Sequence, residues 1–421
     1  MQEAATVTAL AVTLGLALRR PVLPRGLRIG PGVAAALGVT VLAVAGGLSI
    51  ADVAEALDVL WPPMLALASI MVMTGVAARA GVFQRLAELI LPHAAAGAGR
   101  LFAIVFVLGV ATATVFNNDA AILVLTPVVV TLVRQIYPDS PHLLLPFAFA
   151  VFMAAGVAPF FTSNPMNTVV AVAAGIDFNA YAARMVPVAL VAAGVTFLVL
   201  RWVFARALAA APPVAEAAAR PAAAAWTRAQ RQALLLVVVV LAAYPTAALA
   251  GLPVYGVAAT GAVVALGLCW WHGAGRPVEV ARTTVAWEIM IFLFGMYLLA
   301  KGLQHIGVVD QLRELYRAGG VPTVGIVSAV GSALINNHSM ALTNLLAIGG
   351  LPGSAPDAYL AALIGGDLGP RLLPIGSLAG LLWLTLLGRM GVTVPLRTFV
   401  TVGAVVTVPS LAASLGVLSL M

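Results

Sequence analysis

The sequence is poor in charged residues and almost without cysteine. Asp, Glu, Lys and Arg make up 9% of its 421 residues, against about 25% in soluble globular domains. With 62% hydrophobic residues and a mean hydropathy of +1.08, the chain cannot be a water-soluble globule. The single cysteine, Cys269, excludes a disulfide within the chain and a thiolate metal cluster. We therefore predict an all-α polytopic membrane protein that holds no metal.

Two further absences narrow the range of functions. The sequence has no Gly-Lys dipeptide and therefore no Walker motif, so we predict that it is not an ATPase or another enzyme and needs no cofactor. The formal charge of +7 comes from basic residues in short loops, where they set membrane topology, so we predict no nucleic-acid partner. The apolar run 4–18 has no preceding positive segment and no clear cleavage site, which indicates a retained helix rather than a signal peptide.

Apolar runs long enough to cross about 30 Å of hydrocarbon predict most of the helices. These runs lie near residues 4–18, 29–50, 61–79, 183–204, 230–250, 253–271, 285–303 and 397–419. Four other stretches are interrupted by Gly, Pro or Asn, and such breaks at membrane depth need protein or a water-filled cavity to satisfy the backbone. The interrupted stretches are residues 99–134, 142–175, 321–350 and 357–388.

The two halves of the chain are similar in sequence. Residues 61–89 align without gaps on residues 287–315, which places Trp61 opposite Trp287 and Gly81 opposite Gly307. The polar interruptions follow in the same order in both halves, as in transporters that are built from two repeats. The predicted divisions are a first repeat at 1–204, a cytoplasmic linker at 205–229 and a second repeat at 230–421.

Basic residues predict the orientation in a bacterial inner membrane. If one interrupted stretch per half is a re-entrant hairpin and the other crosses, each half crosses five times and the repeats are inverted. Most of the 22 basic residues then fall in cytoplasmic loops, Lys301 lies outside and Arg371 stays in the membrane. This arrangement predicts about ten crossings plus two hairpins, with both termini outside the cytoplasm. Parity alone leaves open which stretch is the hairpin.

One polar cluster in each half marks the predicted transport site. The clusters are Asn117, Asn118 and Asp119 in the first half, and Asn336, Asn337 and His338 in the second. A carboxylate at bilayer depth costs about 2.5–3.5 kcal/mol and usually faces a cavity or a partner. Asp119 is therefore predicted to bind a proton or a cation, and the alternative is that it caps the half-helix that follows it.

Three other charged or ionisable residues also have two interpretations. Asp367 and Arg371 are four residues apart, so they either pair across a broken helix or take part in proton coupling. His338 is either a hydrogen-bonded structural residue or a proton relay opposite Asp119.

The run Ile364 to Leu387, IGGDLGPRLLPIGSLAGLLWLTLL, resembles the signature of the arsenical pump membrane proteins of the ion transporter superfamily. Its core is Asp367-Leu368-Gly369-Pro370 followed by Pro374-Ile375-Gly376-Ser377-Leu378. Weaker matches lie at Asn117-Asn118-Asp119, Ser163-Asn164 with Asn167, Trp287 with Gly295-Met296-Tyr297-Leu298, and Asn336-Asn337. The resemblance extends over nearly the whole chain from Trp61. The chain departs from the family pattern at His338-Ser339 and at Pro165.

The resemblance implies a scaffold domain and a transport domain, with the asparagine clusters at hairpin tips. The hairpins would then be residues 99–134 and 321–350, and the broken helices residues 142–175 and 357–388. The implied substrate-binding residues are Asn117, Asn118, Ser163, Asn164, Asn167, Asn336, Asn337, Gly376 and Ser377. The implied proton-coupling residues are Asp119, His338, Asp367 and Arg371.

The implied function is secondary export of arsenite and antimonite driven by proton entry. Arsenous acid is small and largely uncharged near neutral pH, so amide and hydroxyl groups suit it. The alternatives are a sodium–proton or other cation antiporter on the same scaffold, favoured by Asp119, and a dicarboxylate transporter, which the charge of Asp119 disfavours. The expected partners are the metalloids, protons and the lipid bilayer, and the family allows a cytoplasmic ATPase and a homodimer.

Overall fold

The fold is entirely helical in the residues that the computed structural model describes, which are 2–19, 21, 29–88, 97–213, 225–351 and 356–421. The helices of the first half are α1 (Gln2–Arg19), α2 (Pro31–Val44), α3 (Ile50–Arg79), α4 (Val82–Glu88), α5 (Ala98–Val115), α6 (Asn118–Ile136), α7 (Leu144–Ala154), α8 (Pro165–Ala173), α9 (Phe178–Val203) and α10 (Ala205–Ala209). Those of the second half are α11 (Arg228–Leu249), α12 (Val254–Trp271), α13 (Pro277–Thr284), α14 (Trp287–His305), α15 (Val308–Ile335), α16 (Asn337–Gly349), α17 (Pro356–Leu368), α18 (Leu378–Arg389) and α19 (Leu396–Ser419).

The predicted class, an all-α multi-pass membrane protein, is confirmed. Among the described residues, 7 helices are long and apolar enough to cross a membrane alone, and there are 8 when α13 and α14, bent by 50°, count as one span. Shorter apolar helices, including α1, α2 and α18, lie where further crossings are predicted. The predicted linker lies partly outside the described residues, since only its ends, α10 and the start of α11, are described.

The predicted boundary between the second and third helices was wrong. Helix α2 ends at Val44, because Gly46 takes a positive φ of 72° and turns the chain. Helix α3 then begins at Ile50, eleven residues before the predicted start, and continues through Pro62 and Pro63. A capping box explains this start, since the Ser49 hydroxyl accepts from the backbone N–H of Asp52 at 3.2 Å and the Asp52 carboxylate accepts from that of Ser49 at 2.8 Å.

Lys301, predicted on the outer side of the membrane within the helix 285–303, lies near the end of α14. Its side chain is 10% exposed, and its ammonium forms an ion pair with Glu55 of α3 at 3.0 Å. The Tyr297 hydroxyl donates to the same carboxylate at 3.1 Å. A partner on the neighbouring helix therefore allows this charge to be buried.

Helices α15 and α16 fold back on each other at Asn336. The Asn344 amide donates to the Ser328 hydroxyl at 3.0 Å, although a straight helix would separate residues this far apart in sequence by about 24 Å. Helix α15 is kinked at Gly320, where φ is 65° and ψ is −166°, so its hairpin arm begins at Val321. From the segment before the kink, Arg313 donates to the carbonyl oxygens of Leu346 and Ala347 near the end of α16.

The packing between the two halves is what a two-fold relation would require. The alignment pairs α3 with α14, and by chain order α2 pairs with α12. In the structure α2 packs on α14 and α12 packs on α3. These two contacts are equivalent under the pairing of α2 with α12 and of α3 with α14. Helices α9 and α19, which end their halves, also pack together, and the Thr196 and Ser410 hydroxyls meet at 3.1 Å. The exact bounds of the two repeats stay a prediction.

The start of α16 contains the only described non-glycine residue with a positive φ. Asn336 has φ 76° and ψ 143°, and its side chain accepts from the backbone N–H of His338 at 3.1 Å. Such a backbone costs about 1–3 kcal/mol for a residue with a Cβ. We expect Asn336→Ala to lower the free energy of unfolding by about 1 kcal/mol from loss of the cap, and Asn336→Gly to be near neutral because glycine removes the strain. Thermal unfolding in detergent measures the stability of both variants. Equal destabilisation by the two substitutions would contradict the strain at Asn336.

Candidate functional site

Four half-helices begin close together at the centre of the protein. Helices α6 and α16 begin at the second asparagine of each pair, Asn118 and Asn337. Asn164 caps α8 by accepting from the backbone N–H of Met166 at 3.0 Å, and Ser377 caps α18 by accepting from that of Gly380 at 2.9 Å. Because helix starts carry unpaired N–H groups and partial positive charge, their convergence produces a polar centre in an apolar protein.

A small cavity of about 40 Å³ lies among these four helix starts. Eight of the predicted site residues line it: Asn118, Asp119, Asn164, Asn337, His338, Asp367, Arg371 and Ser377. Residues from both halves of the chain therefore share one cavity, which has room for only a few water molecules. Among the described residues, no group of three His, Cys, Asp or Glu side chains could hold a metal ion.

Asp367 links the broken stretch of the second half to that of the first. One carboxylate oxygen accepts from the Asn164 amide at 2.6 Å, and the other accepts from the Asn167 amide and from the backbone N–H of Ala158, both at 3.0 Å. The Tyr181 hydroxyl accepts from the Asn167 amide at 2.8 Å. Asp367 thus satisfies a backbone group that the break between α7 and α8 leaves free.

Arg371 does not pair with Asp367, so the structure does not have the ion pair that was the first of the two interpretations of these residues. No carboxylate of the described residues lies within 4.0 Å of its guanidinium. The guanidinium instead donates to the carbonyl oxygens of Met153 and Ala155, at 2.6 and 3.4 Å, and to the Thr196 hydroxyl at 3.2 Å. The turn Gly369–Arg371 separates the two side chains, since the helix that would align them ends at Leu368.

Asp119 and His338 occupy matching places in the first turns of α6 and α16. Asp119 is half-buried and has no hydrogen bond or ion pair with the residues that the structure describes, so it does not cap α6. His338 is 5% exposed, and both of its ring nitrogens lack a partner in the described part of the chain. Its ring packs edge-on against Phe292. Both side chains are therefore free to interact with a bound solute.

Five predicted site residues lie behind the cavity instead of lining it. Asn117 donates to the Thr74 hydroxyl at 3.4 Å, Ser163 donates to the carbonyl oxygen of Thr114 at 2.8 Å, and Asn336 caps α16. Asn167 contacts Asp367, as described above. The fifth is Gly376, where a Cβ atom would lie 2.5 Å from the Cα of Pro370, so the residue serves close packing.

Two side chains that support the site are not among the residues predicted from the sequence. Tyr181 lies behind Asn167, and Thr196 receives a hydrogen bond from Arg371. Both are in α9, which the sequence shows only as an apolar run, so no local signal distinguishes them. By contrast, Pro165, which departs from the family pattern, is the first residue of α8, where a missing N–H costs nothing.

The shared cavity predicts that both hairpin tips are accessible from the same side. In a Cys269→Ser background, Asn118→Cys and Asn337→Cys should react with a small thiol reagent from one aqueous side at a time, because both residues line one cavity. A short bifunctional reagent should join the two cysteines. The control is Asp139→Cys, in an exposed loop outside the cavity. Labelling of each tip only from its own membrane face would contradict the shared cavity.

Sequence comparison relates the chain to one family of transporters. The sequence model of the family described as "Arsenical pump membrane protein" matches residues 6–421. An arsenical pump membrane protein of Escherichia coli is 31% identical over 409 residues, covering 94% of each chain. One from Yersinia enterocolitica is 30% identical over 412 residues, with the same coverage. A putative arsenical pump membrane protein of Bacillus subtilis is 26% identical over 394 residues, covering 86% of this chain and 88% of its own.

The structure is also similar to that of a solved transporter. The crystal structure of the YdaH transporter of Alcanivorax borkumensis, described as having an unusual topology, matches with a TM-score of 0.57. The match covers 100% of this chain and 97% of that protein, at 17% sequence identity. At this identity the likeness concerns the fold, which is that of a membrane transporter.

Proposed function

Because the chain belongs to the arsenical pump membrane protein family, we propose that it is a secondary transporter that exports arsenite and antimonite in exchange for protons. The polar cavity between the two halves supports this proposal most directly. It is small, and the amide and hydroxyl groups of Asn118, Asn164, Asn337 and Ser377 form part of its lining. A small neutral hydroxide of As(III) or Sb(III) can donate to and accept from such groups without a cage of charges.

Asp119 is the proposed proton-coupling residue. Its carboxylate faces the cavity and has no partner among the described side chains, so protonation would break no contact within the protein. A proton bound there would remove the negative charge beside the substrate, and its release would restore that charge. His338, on the corresponding helix of the other half, is proposed to exchange hydrogen bonds with the same solute.

A sodium–proton antiporter is the second candidate, and the unpaired Asp119 carboxylate favours it. Two carboxylates, Asp119 and Asp367, and the Arg371 guanidinium line the cavity, so with both carboxylates ionised one negative charge is left over to attract a cation. The metalloid proposal is preferred because the chain belongs to the arsenical pump membrane protein family.

Uptake into everted membrane vesicles tests the proposed function. Vesicles that contain the protein should accumulate radiolabelled arsenite and antimonite when the vesicle lumen is made more acidic than the medium. A protonophore should abolish this accumulation, and sodium should not replace the metalloid. Sodium uptake without metalloid uptake would contradict the proposal and support the second candidate.

The remaining parts of the proposal concern the setting of the protein. We place it in a bacterial inner membrane with both termini outside the cytoplasm, because basic residues are concentrated in the loops that would then be cytoplasmic. A cytoplasmic ATPase and a second copy of the chain are the proposed protein partners. Fusing a reporter that is active only in the cytoplasm to each terminus tests the orientation.

A further inference from the structure

A second cavity shares lining residues with the polar one and is mostly apolar. It has a volume of about 190 Å³ and lies between α5, the break between α7 and α8, and α9. Val110, Ala113, Val157, Phe160 and Ala193 are among its lining residues. Leu190, which also lines it, is 68% exposed on the surface of a membrane-spanning helix, so the cavity lies at the lipid-facing side of the protein.

The two cavities share a polar boundary. Asn118 and Arg371 line both of them. Arg371 as a whole residue is 2% exposed, and its Nε has no hydrogen-bond partner among the described residues. A buried donor without a partner is costly, so a ligand acceptor atom that reached this Nε would relieve that cost. A molecule that spans this boundary would therefore have an apolar part on one side and an oxygen-bearing head on the other.

The size of the apolar cavity limits that molecule. An apolar cavity of about 150 Å³ holds one benzene molecule, so 190 Å³ admits a single ring with little more. The polar cavity, at about 40 Å³, admits only a small head. We take the ring and the head to be directly bonded, because Asn118 and Arg371 line both cavities.

We infer that the site also takes organic trivalent metalloid acids in which a phenyl or similarly small apolar group replaces one hydroxyl. The inference rests on the proposed function, because the metalloid head would occupy the polar cavity as the inorganic acid does. The apolar group would lie between α5 and α9, and the Arg371 Nε and the Asn118 amide would donate to the head. This class of ligand combines an apolar group that suits the apolar cavity with a metalloid head that suits the polar cavity.

Competition for arsenite binding tests the inference. The protein in lipid nanodiscs, with Cys269→Ser to remove its only thiol, is incubated with radiolabelled arsenite and increasing phenylarsonous acid. We expect phenylarsonous acid to displace arsenite at concentrations at least tenfold below those of unlabelled arsenite, because the ring adds buried apolar contact. Displacement no better than that by unlabelled arsenite would overturn the inference while leaving the proposed function intact.

Variants that fill the apolar cavity show where the ring binds. Val110→Phe and Ala193→Phe narrow it from opposite walls, and both positions are partly exposed, so the larger side chains can be accommodated. They should remove the tenfold advantage of phenylarsonous acid and leave arsenite binding unchanged. The matched control is Val107→Phe, on α5 but outside the cavity and 63% exposed. An advantage that survives in both filled variants would overturn the inference.

Direct calorimetric titration with phenylarsonous acid separates the two proposals. If arsenite does not bind at all, the proposed function fails. Phenylarsonous acid that still binds, and loses binding in Val110→Phe and Ala193→Phe, would then support the apolar cavity as a ligand site in its own right. Absence of heat from both compounds would overturn both proposals.

Discussion

Asp119→Asn should reduce proton-driven arsenite uptake to the level of vesicles without the protein, and the protein should remain folded. The asparagine side chain has the same shape but cannot bind and release a proton. The wild-type carboxylate has no hydrogen bond or ion pair with the described residues, so the substitution removes no contact within the protein. Uptake into everted vesicles measures the first effect, and thermal unfolding in detergent measures the second.

A matched control comes from an acid outside the cavity. Asp139 lies in the exposed loop between α6 and α7, so Asp139→Asn makes the same chemical change without touching the cavity and should leave uptake unchanged. Proton-dependent uptake that persists in Asp119→Asn would show that the coupling carboxylate lies elsewhere. In that case Asp367, the other carboxylate of the cavity, would be the remaining candidate.

The helix breaks could be predicted because polar residues within an apolar run are tolerated mainly where the helix is interrupted. Asn118, Asn164, Asn337 and Ser377 each stand at a point where a helix begins, and a free N–H at membrane depth needs such a partner. The similarity of the two halves also predicted that Asp119 and His338 lie opposite each other, and both residues line one cavity. Most of the residues that line the cavity could therefore be predicted from polar residues in apolar runs and from the repeat.

The partners of the charged residues could not be predicted in the same way. Asp367 and Arg371 are four apart, a spacing that suggests an ion pair only if the helix continues, and here it stops at Leu368. Their actual partners, Asn164 and Thr196, are 203 and 175 residues away in sequence. Contacts over such distances depend on how the halves pack, and one sequence contains no local signal for them.

The start of α3 was missed for a different reason. The signal was present, because Ser49 and Asp52 form a capping box just after the glycine pair at 46–47. The Pro62-Pro63 pair, however, indicated a helix boundary nearby, since proline removes a backbone donor. In the structure α3 continues through this pair, so the capping box predicts the start of α3 better than the prolines do.

Asp367→Asn should have the opposite balance of effects from Asp119→Asn, because it should destabilise the protein. Both carboxylate oxygens of Asp367 accept hydrogen bonds, from the Asn164 and Asn167 amides and from the Ala158 N–H. An introduced amide group must point its NH₂ at one of these donors and leave it unsatisfied. A buried unsatisfied donor costs about 1–3 kcal/mol. The midpoint of thermal unfolding should therefore fall clearly below that of Asp119→Asn, and arsenite uptake should be lost.

A second substitution can separate the structural role of Asp367 from a role in transport. Asn164→Asp places an acceptor opposite the new amide, so the double variant Asp367→Asn, Asn164→Asp restores that hydrogen bond, while the other oxygen at position 367 still accepts from Asn167 and Ala158. Aspartate caps a helix about as well as asparagine, so α8 should keep its start. We expect the unfolding midpoint to recover.

Recovery of uptake with it would show that Asp367 only joins the two broken stretches, because its charge would then lie on the opposite half of the chain. Stability without uptake would show that transport needs the carboxylate at position 367, on the second half of the chain. A double variant as unstable as Asp367→Asn alone would contradict the hydrogen-bond account of this residue.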